Sequence, residues 1–206
     1  VGTIVISRKP LLVVVSGPSG VGKSTIVKGM LRRSEKLRLS ISLTTRPPRP
    51  GEREDEEYRF VSHERFLAAR DGGELLEWAE VHGNLYGTPL AFVERTLSED
   101  LHVLLEIDVQ GGLAVKKRIP GAVLIFLLPP SPGELESRLR GRATDDESVI
   151  LRRLENARNE LTYYEYYDYL VVNSEVETCT REVLGVVEAE SLKRERAVLE
   201  GAKQDG

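Results

Sequence analysis

The chain has 206 residues, which suits one α/β domain with room for inserted pieces. Hydrophobic residues make up 40% and charged residues 30%, and the net charge is -4, so there is a real core and no global basic field pointing to a nucleic-acid polymer or an anionic membrane. No apolar run is long enough to span a bilayer, and the single cysteine, Cys179, rules out an internal disulfide framework; a buried place near a helix start and a cytoplasmic location are expected.

Val1 to Pro10 lacks the long apolar centre of a signal peptide and is set aside as an N-terminal extension. Leu11 to Val15 is a short valine-rich run, the pattern of a buried parallel strand. It runs straight into Gly17-Pro18-Ser19-Gly20-Val21-Gly22-Lys23-Ser24, which fits G-x-x-x-x-G-K-[ST]. Glycines at this spacing let the backbone curl with its N–H groups turned inward around phosphate oxygens. The helix expected from Ser24 to Arg33 points its positive dipole end at the same place. Lys23 supplies charge for the outer phosphates and the Ser24 hydroxyl a ligand for Mg²⁺, with Thr25 next to it. Strand, loop and helix in this order predict a nucleoside-triphosphate site.

Leu39 to Leu43 reads as a second strand, and Thr44 to Glu57 as a long polar loop. Arg46 and Arg49, three residues apart and stiffened by Pro47, Pro48 and Pro50, make a two-pronged anion clamp, because a guanidinium fork suits phosphate. A solvated charged loop is the plain alternative, and it extends to the acidic run Glu52 to Glu57. Tyr58 to Val61 is a strand. Ser62 caps a helix to Arg70, which Gly72 and Gly73 end. Leu75 to Val81 alternates as a strand, Gly83-Asn84 marks a turn, and Thr88-Pro89 starts a helix.

Val103 to Ile107 and Ala122 to Leu128 are buried-strand runs with a helix from Gln110 to Arg118 between them. Glu106-Ile107-Asp108 closes the first run, where a parallel α/β fold places ligand-binding groups; Glu106 or Asp108 is a candidate to orient Mg²⁺ through water. Ser131 and Glu134 form a capping box for a helix ending near Gly141. Glu147 to Tyr164 is a long arginine-rich helix whose tyrosines, Tyr163, Tyr164, Tyr166 and Tyr167, are expected to pack at its end. Tyr169 to Val172 is a last strand, and Glu177 to Ala202 a C-terminal helix. Alternating strands and helices predict a three-layer α/β fold with a parallel sheet.

Several stretches together carry a resemblance. They are Thr44-Thr45-Arg46-Pro47-Pro48-Arg49-Pro50-Gly51-Glu52 with Tyr58, Glu77-Trp78-Ala79, Asn84-Leu85-Tyr86-Gly87-Thr88, Glu106-Ile107-Asp108-Val109-Gln110-Gly111, Gly141-Arg142 and Tyr169 to Asn173. In this order and spacing the chain resembles the guanylate kinase family from Pro10 nearly to its end. The resemblance implies transfer of the γ-phosphate of ATP to GMP, and to dGMP, with Mg²⁺. It implies a P-loop NTPase core from 11–41, 99–134 and 165–206, an inserted α+β GMP-binding lobe at 42–98, and a helical lid at 135–164. By it, Arg46, Arg49, Tyr58 and Tyr86 would hold the GMP phosphate, Ser42, Glu77 and Thr88 would read the guanine, and Asp108 would also bind GMP. Arg138, Arg142 and Arg153 would close over the transferring phosphate, and Asn173 would lie near the adenine; a structural cap is the other reading of Asn173.

Physical chemistry supports the guanine assignment. Guanine presents two adjacent donors, N1–H and the 2-amino group, and one carboxylate can accept both. Arg140, Arg152 and Arg158 are expected on a solvated helix face. The chain departs from its relatives at Glu106, often aspartate, at Ala143, often glycine, and near Asp55, where a glycine is common. Two rival readings remain: a non-catalytic interaction module of the same fold, in which the phosphate loop is often lost, and a kinase for another phosphorylated acceptor such as a ribose phosphate.

Overall fold

A computed structural model of the chain describes residues 5–81, 83–141 and 147–200. Its elements are strands β1 (Val5–Arg8) and β2 (Leu12–Ser16), helix α1 (Lys23–Arg33), β3 (Leu37–Leu39), β4 (Leu43–Thr44), β5 (Arg59–Phe60), α2 (His63–Asp71), β6 (Leu75–Val81), β7 (Asn84–Pro89), α3 (Leu90–Ser98), β8 (His102–Glu106), α4 (Val109–Arg118), β9 (Val123–Leu128), α5 (Pro132–Arg140), α6 (Glu147–Leu161), β10 (Tyr169–Val172), α7 (Val176–Ser191) and β11 (Ala197–Glu200). Short 3-10 turns cover Thr162–Tyr166 and Arg194–Arg196.

Five strands form an all-parallel sheet in the order β10-β9-β2-β8-β3. The central strand β2 explains the valine run. Val13 and Val15 face one layer, with Ile26, Val27 and Met30 of α1 and Val183 and Val187 of α7. Leu12 and Val14 face the other, with Val109 and Val115 of α4 and Phe126. Both faces are covered, so no polar position interrupts the strand. Each such buried side chain contributes roughly 1.5–3 kcal/mol. This is the layered α/β fold with a parallel sheet that the alternation of strands and helices predicts.

A second, four-stranded sheet runs β5-β4-β7-β6 and is mostly antiparallel. It has its own small core of Leu43, Phe66, Ala69, Leu75 and Leu85. Helices α5 and α6 pack through Leu135, Leu139, Ile150, Leu154 and Ala157.

The structure corrects several expectations. The strand expected from Leu39 to Leu43 is two: β3 ends in the parallel sheet, and after Ser40, Ile41 and Ser42 the chain enters the other sheet as β4. The Ser40 N–H still bonds Leu104 O at 3.0 Å, whereas the Ser42 carbonyl already accepts from Arg59 N at 2.9 Å, so the change of sheet falls between them. Thr88-Pro89 marks the helix start, but from outside it: both residues close β7, and Pro89 is the N-cap of α3, which begins at Leu90. The strand β6 does not alternate throughout: a bulge between Leu75 and Glu77 leaves Leu75, Leu76 and Glu77 all buried. The helix expected to reach Tyr164 ends at Leu161 in a 3-10 turn; Tyr167 packs, but Tyr164 and Tyr166 are exposed.

The C-terminal helix stops at Ser191, and the tail turns back as β11 to pair antiparallel with β1. Thus Val5–Arg8, within the segment set aside as an extension, has a backbone partner. The Arg8 guanidinium donates to Ser191 O at 3.3 Å, at the helix end whose carbonyls lack intrahelical partners. Cys179 is fully buried in the first turns of α7, and burial pushes its thiol up to about 11, so it is unreactive.

Candidate active site

The loop from Gly17 to Gly22 leaves the C-terminal end of β2, the central strand, and feeds α1. Gly20 and Gly22 have φ of 85° and 99°, in the left-handed region. A Cβ on Gly20 would come within 2.8 Å of Leu139, and one on Gly22 within 2.7 Å of the Asn173 amide, so neighbours as well as dihedrals exclude side chains here. Val21 is fully buried and anchors the loop from beneath. The Lys23 ammonium donates to Gly17 O at 2.6 Å and Pro18 O at 3.2 Å, folded over the loop it serves. Ser24 and Thr25 lie exposed on the first turn of α1, and Ser24 Oγ donates to Glu106 Oε1 at 2.5 Å.

That last contact bears on a metal. It brings a hydroxyl and a carboxylate, both hard oxygen donors, to the end of the phosphate loop. Mg²⁺ is commonly held by one or two protein oxygens plus phosphates and water, and these two groups fit that pattern. Among the described residues there is no cluster of three or more His, Cys, Asp or Glu side chains that would form an all-protein cage. Asp108 is otherwise engaged: it caps α4, with Oδ1 accepting from Gly111 N at 2.9 Å.

The predicted acceptor residues gather on the second sheet. The Arg46 guanidinium donates to Tyr86 Oη at 3.2 Å and to Glu52 Oε1 at 2.9 Å, and lies 5.4 Å from the Tyr58 ring centroid. The Tyr58 and Tyr86 rings meet edge to face at 5.6 Å. Burial pushes the Tyr58 hydroxyl up to about 12, so it stays a proton donor at neutral pH. Arg49 is exposed, and its backbone N–H donates to Glu52 Oε2 at 2.7 Å. Glu52 therefore ties the two prongs of the clamp together.

This corrects the reading of the acidic run as merely solvated. Besides Glu52, the Glu57 carboxylate accepts from Arg53 N at 3.0 Å, and Glu54 accepts from Phe60 N at 3.1 Å. These carboxylates close a loop with no strand ladder of its own. Asp55 sits at φ 59°, the conformation that a glycine there would adopt freely and that aspartate tolerates.

Glu77, Thr88 and Ser42 are all buried. Thr88 Oγ1 donates to Glu77 Oε1 at 2.6 Å. Burial pushes the Glu77 carboxyl up to about 7, the Thr88 bond opposes this and the charge of Asp108 adds to it. Gly111 at the start of α4 separates the two acids: a Cβ there would lie 2.8 Å from Glu77 Oε2 and 3.2 Å from Asp108 Oδ1.

The predicted arginines of the lid divide. Arg138 donates to Val21 O at 3.2 Å and to Asn173 O at 3.1 Å, against the phosphate loop. Arg153 donates to Ser19 Oγ at 3.3 Å. Arg142, like Ala143, lies outside the described residues. Arg140 pairs with Glu136 and Glu147, and Arg152 and Arg158 are exposed, as expected of a solvated face. Asn173 acts as a structural tie: its amide donates to Val21 O at 2.7 Å, while its buried Oδ1 has no hydrogen-bond partner.

Three contributors escaped the sequence reading. Glu160 of α6 accepts from Ser19 N at 2.8 Å. Arg118, in the last turn of α4, donates to Leu75 O at 2.9 Å and Leu76 O at 2.8 Å, the carbonyls of the β6 bulge. Gly111 makes room for Glu77. Only Gly111 left a sequence signal, a glycine in the first turn of a helix.

No helix among the described residues is long and apolar enough to cross a membrane. A family model described as guanylate kinase matches residues 8–190. A guanylate kinase of Aromatoleum aromaticum is 47% identical over 88% of this chain and 89% of its own length. One from Streptococcus thermophilus is 49% identical over 93% of this chain and 92% of its own. The crystal structure of guanylate kinase from Anaplasma phagocytophilum is similar with a TM-score of 0.81 and 34% identity, covering 94% of this chain and 93% of that one.

Proposed function

This chain belongs to the guanylate kinase family, and on that premise we propose how its residues divide the work of an ATP:GMP phosphotransferase. The reaction joins a phosphate oxygen of GMP to the γ-phosphorus of ATP and breaks the bond to ADP. Phosphoryl transfer asks the protein mainly for positioning and charge stabilisation. The observation that carries the proposal is the buried Glu77–Thr88 pair at 2.6 Å in a lobe that also holds the Arg46 clamp.

The loop Gly17 to Gly22, with Lys23, Ser24 and Thr25, takes the phosphates of ATP. Lys23 exchanges its loop carbonyls for phosphate oxygens. Asn173 steadies the loop through Val21 and faces the adenine side. Arg46, Arg49, Tyr58 and Tyr86 bind the GMP phosphate as two cations and two neutral donors. Glu77 accepts from guanine N1–H and the 2-amino group, and Thr88 and Ser42 complete the base site with Asp108 behind Glu77. A ribose phosphate offers Glu77 no such donor pair. dGMP carries the same base and phosphate and serves as a second acceptor.

Residues 42–98 act as the acceptor lobe and 135–164 as the lid, on a core of 11–41, 99–134 and 165–206. Arg138, Arg142 and Arg153 neutralise the transferring phosphate, and closure of the lid expels water that would compete as acceptor. Ser24 and Glu106 would hold Mg²⁺, with Asp108 a more distant contributor. Bound there with ATP, the ion supplies charge neutralisation of the phosphate oxygens. The expected location is the cytoplasm.

Arg46→Ala tests the acceptor half. We expect a loss of GMP turnover of at least about 10²-fold with ATP affinity unchanged, since a charge-assisted contact to the phosphate disappears. An unaffected rate would remove Arg46 from the site.

A further inference from the structure

Ser19 is the third residue of the phosphate loop, and its backbone N–H and its hydroxyl are both held by one helix. Its backbone N–H donates to Glu160 Oε2 at 2.8 Å, and its hydroxyl accepts from Arg153 at 3.3 Å. Both partners are on α6, about two turns apart and so on one face. The helix thus presents an anion and a cation to the mouth of the loop. A loop of inward N–H groups attracts anions, and a carboxylate oxygen is the same kind of acceptor as a phosphate oxygen.

We propose that Glu160 is a resident anion of the donor site, bound at the Ser19 N–H until the triphosphate of ATP displaces it. The inference rests on the reading of this loop as the ATP site. Two anions cannot share one N–H, and the triphosphate, with more charge and more loop donors, wins the exchange. Arg153 has the opposite sign and is drawn towards the same phosphate. Entry of ATP therefore reverses the sense in which α6 is tethered, from the carboxylate near its C-terminal end to the guanidinium two turns earlier. Glu160 is a positioning residue in this account: it acts through the loop and the helix and makes no bond to the reacting atoms.

Glu160→Gln tests this, because it keeps the size and the acceptor oxygen and removes the charge. Equilibrium titrations of ATP, ADP and GMP onto wild type and variant should show ATP binding tightened about fivefold, as a charged acceptor is replaced by a weaker neutral one. ADP, which lacks the outermost phosphate, should gain less, and GMP nothing. Glu160→Asp draws the charge back by one methylene and should shift ATP affinity in the same direction by a smaller factor. A merely structural glutamate would leave the ATP-to-ADP affinity ratio where it was. If wild type binds ATP and Glu160→Gln binds it equally or more weakly, the inference fails alone. If wild type binds no ATP, the donor-site reading fails and takes the inference with it.

Discussion

Glu77 is a carboxylate in a place that disfavours its charge. Burial pushes it up to about 7, although only the ionised form can accept both guanine donors. In the proposed role of Glu77, guanine binding expels a proton below that value. We predict that the KM for GMP rises roughly tenfold for each pH unit below about 7, while the KM for ATP stays flat. Glu77→Gln should weaken GMP at neutral pH and abolish this pH dependence; a slope that survives the substitution belongs to another group. Gly111 carries a sharper steric prediction. A methyl group there would meet Glu77 Oε2 at 2.8 Å, so Gly111→Ala should raise the KM for GMP at least about tenfold by turning the carboxylate away. The substitution sits in a helix, where alanine is otherwise favoured, so the fold should persist. Circular dichroism and steady-state kinetics on one sample separate the two effects.

At the scale of elements, the proposed acceptor site depends on where β6 departs from regularity. The bulge at Leu76 lets Leu75 face the small core of the lobe, Leu76 the core under α4, and Glu77 the site. Bulges re-aim side chains in this way and leave ladder carbonyls in need of donors. Arg118 supplies them, donating to both Leu75 O and Leu76 O. Helix α4 thus supports Glu77 at both ends, through Gly111 at its start and Arg118 at its last turn. Arg118→Ala should raise the KM for GMP about three- to tenfold, the loss expected from charge-assisted bonds at a partly exposed position, with ATP affinity unchanged. Equal effects on both substrates would mean general loosening. The bulge and the role of Arg118 were not legible in the sequence, because a bulge carries no composition signal and Arg118 lies 42 and 43 residues from the carbonyls it meets. The phosphate loop was legible because strand, glycines, lysine and helix are contiguous. The Arg46 clamp was legible for the same reason. Glu160, 141 residues from Ser19, was not.

At the scale of the molecule, the parallel sheet was readable from runs of buried valine and leucine, since strands covered on both faces tolerate no polar alternation. The short strands were harder. β4 and β5 have two residues each and are defined by their partners in space, and β7 contains Gly87 and ends on Pro89, which argue locally against a strand. The ribbon of β1 and β11 joins the two ends of the described chain and had no sequence signature. The architecture puts the phosphate loop at the end of the central strand, with the acceptor sheet and helices α5 and α6 carrying the remaining charged groups. A donor site and a guanine-reading acceptor site in one chain is the central claim. The direct measurement is ADP release from ATP with Mg²⁺, comparing GMP with AMP as acceptor. We predict a kcat/KM at least about 10³-fold higher for GMP, because AMP offers the buried Glu77 no N1–H and 2-amino donor pair. Comparable rates with AMP, or no turnover with GMP, would contradict the account.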